Sequence, residues 1–167
     1  MQINSLINEN VNNNPIDLIE DAVLLNNWPY NRTDSNTLFA EVKGGWCDYH
    51  VTLAWSEDSN LLQHSWTYNL NIKSKKLELL YSLINKININ LPSGHIEFWN
   101  DDGWLMYRNA QIINNKMFLK TKEIDFILLS CLKQCEKYYP AFQFLLWENK
   151  SPAQALEASL LDTKGEA

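Results

Sequence analysis

Residues 44–55 read GGWCDYHVTLAW and bring Cys47, Asp48 and His50 close together in the chain. The stretch is either a chemical site or a strand. Side chains alternate faces along a strand. On that rule Cys47, Tyr49, Val51, Leu53 and Trp55 share one face, and Asp48, His50 and Thr52 share the other. Cys47 then points away from both polar neighbours, whereas a Cys/His nucleophile pair must sit within hydrogen-bond reach. The unbroken apolar column decides for a half-buried strand, with Cys47 inward and poorly reactive. Gly44-Gly45 is the turn before it.

The flanking segments extend the pattern. In TLFAEVK, residues 37–43, Leu38, Ala40 and Val42 alternate with Thr37, Glu41 and Lys43. After a turn at Glu57–Asn60, LLQHSWTYNLNI (61–72) alternates Leu62, His64, Trp66, Tyr68, Leu70 and Ile72 with Gln63, Ser65, Thr67, Asn69 and Asn71. The short turn predicts antiparallel pairing with the preceding strand. The outward sides of both strands are polar, so a half-covered sheet is expected.

Helices bracket these strands. Asn14-Pro15-Ile16-Asp17 is a start signal: Asn as N-cap, Pro at the first helical position, an acid in the first turn. That helix should stop near Asn26-Asn27, because Trp28 precedes Pro29. Ser74 is expected to cap a second helix with Leu77, Leu80, Ile84 and Ile87 inward, ending before Leu91-Pro92. HIEFWNDDGWLMYRNA (95–110) reads as a hairpin around Asp102-Gly103. Its first strand alternates, but Trp104 to Ala110 is apolar on both sides and leaves its inner face unassigned. Thr121 opens the longest helix, with Ile124, Ile127, Leu128, Cys131, Cys135 and Tyr138 on one stripe. Pro140 is expected to kink or end it, with helical pattern resuming through Phe142, Leu145 and Leu146. Ser151-Pro152 starts a last helix carrying Ala155, Leu156 and Leu160.

This order predicts an α+β fold: an antiparallel sheet of five to six strands with helices on one face, plus a C-terminal helical extension. Residues 1–14 read as a flexible Asn-rich tail, 15–162 as one domain and 163–167 as an exit tail.

Composition narrows the function. The chain has 167 residues and a net charge of −6, which argues against nucleic acid as a partner. The basic runs Lys73–Lys76 and Lys116–Lys122 read as solvated helix ends. No apolar run is long enough to span a membrane, and the N-terminus lacks the basic-then-apolar pattern of a secretory leader. Three cysteines without paired spacing point to a reducing compartment. A cytoplasmic location is therefore expected.

Cofactor chemistry is not signalled. Cys131 and Cys135 lie one helical turn apart, but no second cysteine pair completes a zinc site. A disulfide at that spacing has poor geometry. His50 and His64 fall on opposite faces of paired strands, so they do not converge with His95 on a metal. Asp101-Asp102-Gly103 lacks the remaining ligands of a calcium loop. No phosphate-binding glycine motif and no nucleophile elbow occur. Asp48 and His50 share a strand face, as an acid–base pair or as two polar residues on a wet surface. No cofactor and no metal are expected.

Five strings, GGWCDYHVTLAW, GHIEFW followed by LMYRNA, CEKYYPAFQFLLW and the terminal GEA, resemble the YbjN family from about Asn14 to Ala167. The chain departs from the family pattern in its Asn-rich start and at Asn109, where the family carries His after the Arg. The resemblance implies a bacterial sensory transduction regulator whose fold is similar to that of type III secretion chaperones. Those are small, acidic, often dimeric proteins that hold a polypeptide. It implies no known reaction. The reading is a non-enzymatic protein-binding or chaperone-like regulator whose partner is an unidentified protein or peptide, with a homodimer as a further option. Trp28, Trp46, Trp99 and Trp104 fall at turns or on unassigned faces and are the candidate partner-binding residues. The alternatives are a small-molecule sensor with a cleft between sheet and helices, and an enzyme using Asp48 and His50. Self-association is expected through residues 94–110 or a helix rather than through the polar sheet face.

Overall fold

The computed structural model describes residues 14–70, 72, 76–114 and 120–162. The expected tails before Asn14 and after Asp162 lie outside the described residues, as does the expected cap Ser74. The elements run α1 (Pro15–Leu25), β1 (Tyr30–Arg32), β2 (Thr37–Lys43), β3 (Asp48–Ser56), β4 (Leu61–Tyr68), α2 (Leu77–Asn90), β5 (His95–Trp99), β6 (Trp104–Ile112), α3 (Thr121–Leu146) and α4 (Pro152–Asp162). The strands form one six-stranded sheet in the order β1-β2-β3-β4-β6-β5, with every neighbouring pair antiparallel.

One sheet face carries the core. Leu38, Ala40 and Val42 of β2, Tyr49, Val51 and Leu53 of β3, and Leu62, His64 and Trp66 of β4 are all buried. So are Leu105 and Tyr107 of β6 and Ile96 of β5. They pack with Ile16, Ile19 and Val23 of α1, Leu80, Ile84 and Ile87 of α2, and Ile124, Leu128, Cys135 and Phe142 of α3. The alternation read from the sequence is the burial pattern of β2, β3 and β4.

Local contacts explain where elements begin and dock. The Asn14 side chain accepts from the Ile16 N–H at 2.9 Å and caps α1. Arg32 donates to Asp17 and to Glu20, both at 2.7 Å, and Tyr30 donates to Glu20 at 2.9 Å. These bonds tie the short β1 to α1. The hydrogen bonds from Arg32 and Tyr30 hold the Glu20 carboxyl below its ordinary pKa. Glu136 of α3 clamps the β2–β3 turn: its carboxylate accepts from the Gly45 N–H at 2.7 Å and from the Tyr49 hydroxyl at 2.5 Å. A Cβ at Gly44 would strike that carboxylate and meet the Tyr49 ring at 2.5 Å, so this turn requires glycine.

Three sequence expectations change. β4 ends at Tyr68 rather than Ile72. Its pairing with β3 runs out at Tyr49↔Tyr68, and Leu70 N–H turns back to the Tyr68 carbonyl. Pro140 does not end α3, which is continuous from Thr121 to Leu146. Its cost to an interior helix is offset by the burial of Tyr138, Tyr139, Ala141 and Phe142 around it. Lys76 is not a solvated helix end. Its ammonium donates to the Leu145 and Leu146 carbonyls at 2.9 and 2.7 Å and to Asn149 at 2.7 Å, closing the C-terminus of α3.

Both sheet edges are blunted. β1 has three residues. On β5 the Asn88 side chain of α2 accepts from the Ile96 N–H at 2.7 Å and donates to the Ile96 carbonyl at 2.9 Å. An amide thus stands where a further strand would bond. No helix among the described residues is long and apolar enough to cross a membrane.

Candidate functional site: the uncovered sheet face

The helices leave the other face of the sheet open. The register places one row across it as Glu97, Met106, Thr67, His50 and Glu41. A second row reads His95, Arg108, Ser65, Thr52, Phe39 and Asn31. Trp99 lies opposite Trp104 on the same face, one step beyond the first row. The distinction between the hairpin and the polar sheet face therefore disappears, because Trp99 and Trp104 share a face with Asp48 and His50. The doubly apolar β6 hid this. Its Leu105 and Tyr107 turn into the core, whereas Trp104, Met106 and Arg108 turn outward.

The hairpin corner is a built aromatic cluster. Trp99 and Trp104 stack at 6.2 Å between ring centroids and 22° between planes, while remaining 42% and 51% exposed. The Arg108 guanidinium lies 5.8 Å from the Trp99 ring centroid. Glu97 accepts from the Trp99 indole N–H and from Arg108, each at 2.9 Å, and lies 3.3 Å from the His95 ring. Burial pushes the Glu97 carboxyl up, but the Arg108 hydrogen bond and charge outweigh it, and its pKa falls below the ordinary value. Met106, flanked by Glu97 and Thr67, is only 3% exposed. Glu97, Met106 and Arg108 were not singled out from sequence. The usable signal was the alternation in β5 combined with antiparallel pairing across the hairpin.

The other two tryptophans lie elsewhere. Trp28 packs edge-on against buried Trp66 at 6.1 Å and belongs to the margin of the core. Trp46, at the β2–β3 turn, stacks on Tyr139 of α3 at 6.3 Å and is 47% exposed. The four candidates do not form one surface: only Trp99 and Trp104 are in mutual contact.

At the opposite side of the uncovered face, Asp48 and His50 are both exposed, and no hydrogen bond joins them. They line a cleft of about 550 Å³ with Asn26, Asn27, Trp28, Pro29, Glu41, Val42, Lys43 and Asn69. On the covered side a cleft of about 340 Å³ opens between β6, α3 and the turn after α2, with Tyr107, Asn109, Cys131 and Gln134 in its wall. Tyr107 donates to the Ser93 carbonyl at 3.1 Å, and Asn109 donates to Tyr107 at 3.3 Å. Asn109 is thus engaged in holding the post-α2 turn.

Cys131, Cys135 and His64 are buried core groups, and Cys47, one residue before β3, is half-buried against the core. Burial raises the Cys131 thiol to about 12 and raises Cys135 and Cys47 as well, which disfavours thiolate. His64 accepts from the Trp66 indole N–H at 3.3 Å, and burial lowers its pKa to about 4. Among the described residues no cluster of three or more His, Cys, Asp or Glu side chains is placed to hold a metal ion.

The family model of YbjN, described as "Putative bacterial sensory transduction regulator", matches residues 15–144. The chain belongs to the YbjN family. The crystal structure of YbjN, "a putative transcription regulator from E. coli", is similar in fold, with a TM-score of 0.53 over 88% of this chain and 93% of that one. Sequence identity in that match is 9%, so the architecture is shared while few side chains are. No curated protein matches the chain. The YbjN model ends within α3, so α4 packs against α2 and α3 as an addition to the matched region.

Proposed function

We propose that this YbjN-family chain is a non-enzymatic cytoplasmic regulator that acts by holding a protein partner on the uncovered sheet face, with Trp99 and Trp104 as anchors. The observation that carries this is the stacked, half-exposed tryptophan pair, pinned by Glu97 and Arg108 and seated beside buried Met106. Aromatic and Arg side chains held rigid before binding lose little entropy on association, which is the property of interface hot spots. Strand addition is disfavoured by the three-residue β1 and by Asn88 on β5, so the face rather than an edge is the docking element. The chaperone-like role follows from the same surface, since an extended sheet face can hold a polypeptide without chemistry.

The test is affinity capture from the native host with wild type, Trp99→Ala and Trp104→Ala. A protein recovered at stoichiometric yield with wild type and lost with both variants, while their thermal unfolding stays near wild type, supports the reading. Undiminished recovery with both variants overturns it.

A further inference from the structure

The 550 Å³ cleft beside β2 and β3 has a chemistry of its own. Its volume lies within the range of small-ligand pockets, roughly 300–1,000 Å³. The register sets Glu41 opposite His50 and Lys43 opposite Asp48, so four titratable side chains project from one side of two adjoining strands. The direct opposition of Lys43 and Asp48 would favour a surface ion pair. None is formed, and neither Glu41 nor His50 is bonded through its side chain to another described residue. Elsewhere Arg32 pairs with Asp17 and Glu20, and Arg108 with Glu97. The charges of this cleft are thus left available to a guest.

The sign of the site follows from its wall. Two carboxylates, Glu41 and Asp48, face one lysine. Asn26 and Asn27 bring in the C-terminal end of α1, where the helix dipole is negative and the last turn contains no basic residue. Trp28 and Pro29 supply an apolar wall, and an indole beside carboxylates favours a positively charged guest. We propose that this cleft binds a small solute carrying a primary ammonium or guanidinium group. Glu41 and Asp48 receive its donors and Trp28 packs against it. Two sources share that chemistry: a simple amine, and an amino acid whose carboxylate meets Lys43. The site is independent of the protein-docking proposal, which rests on the Trp99–Trp104 corner.

The experiment is an NMR titration of the full-length labelled protein at low salt, with agmatine, L-arginine and succinate as probes. The Trp28 indole N–H and the Asn27 and Asn69 amides are expected to shift with agmatine, with arginine or with both, but not with succinate. Glu41→Gln and Asp48→Asn, both at exposed carboxylates, should each weaken binding by about tenfold while leaving thermal unfolding unchanged. Lys43→Gln separates the sources. Loss of arginine binding alone supports an amino acid, and retained or tighter agmatine binding supports an amine. Glu57→Gln, in the β3–β4 turn, should change nothing. Absence of cleft shifts with both cationic probes at millimolar concentration overturns the assignment. So does equal binding of succinate, or affinity unmoved by both carboxylate variants.

Discussion

The two faces of the sheet use the same ring in opposite ways. On the covered face Trp66 is fully buried, meets Trp28 and Tyr49 edge-on, and donates its indole N–H to a neutral histidine. On the uncovered face Trp99 and Trp104 lie nearly parallel and keep about half their surface in water, and the Trp99 indole donates to the Glu97 carboxylate. The comparison shows what fixes each arrangement. In the core, close packing from all sides sets ring orientation, and the polar tip must find a partner beneath the surface. On the open face, charges that remain hydrated at their far side hold the rings in place. The first tryptophan is therefore a determinant of folding, and the second pair is the proposed determinant of binding.

The largest effect that separates them is on stability. Trp66→Ala should lower the unfolding free energy by about 3–5 kcal/mol, the usual cost of emptying a large core site. Denaturant unfolding measures it. A loss under about 1 kcal/mol would mean that the Trp66 face is not the main core.

A second way to probe the covered face is pH. His64 is neutral in the fold, and its pKa drops from an ordinary 6.5 to about 4 because burial penalises the imidazolium. The unfolded chain therefore binds a proton that the folded chain refuses. The stabilisation is fully present above pH 6.5 and is lost as pH falls towards 4, up to about 3 kcal/mol. His64→Gln should flatten this window in urea titrations run between neutral pH and pH 4. An unchanged acid slope in the variant would place the titrating group elsewhere. Glu20 adds a smaller loss below the ordinary carboxylate pKa, as its bonds from Arg32 and Tyr30 are broken by protonation.

The covered face was almost wholly legible in the sequence, and the uncovered face only partly. Leu38, Ala40, Val42 and the column from Tyr49 to Trp55 alternate with polar residues, so one period sufficed. Strand β6 has no such contrast, since Leu105, Met106 and Tyr107 are all apolar and all buried. Only its pairing with β4 and β5 decides which of them faces the helices. Pro140 misled for a related reason. Local cost is visible in a sequence, but the packing of Tyr138 to Phe142 that offsets it is not. Lys76 was misread because the carbonyls it caps lie some seventy positions away in the chain. Of the four candidate tryptophans, Trp28 was indistinguishable from the others at the turn before Pro29, although it packs on the core.

An intermediate effect is expected where the two faces are tied together, at the β2–β3 turn. Glu136→Ala removes the acceptor of both the Gly45 N–H and the Tyr49 hydroxyl. The Tyr49 hydroxyl is then left poorly paired, which should cost about 1–3 kcal/mol. Gly44→Ala should act on the same contact by collision rather than by loss. If the clamp is real, the two changes should be less than additive when combined, because each disables one shared interaction. Additive losses in a double-mutant cycle would separate the turn from Glu136.

The smallest effect on stability belongs to the open face, and it is the one that bears on the proposed function. Trp104→Ala removes one half of a stack whose outer surface is already in water, so the unfolding free energy should change by less than about 1 kcal/mol. Trp99→Ala should cost somewhat more, because Glu97 loses a donor and Arg108 loses the ring beside it. Association should respond far more strongly than stability if the corner is an anchor. Each variant should abolish any self-association or partner binding that wild type shows by light scattering. Asp48→Lys, on the same face but across the sheet from the tryptophans, should reduce it only through charge and therefore only at low salt. A complex that survives both tryptophan changes but dissociates with Asp48→Lys at all salt concentrations would move the docking site from the aromatic corner to the charged end of the face.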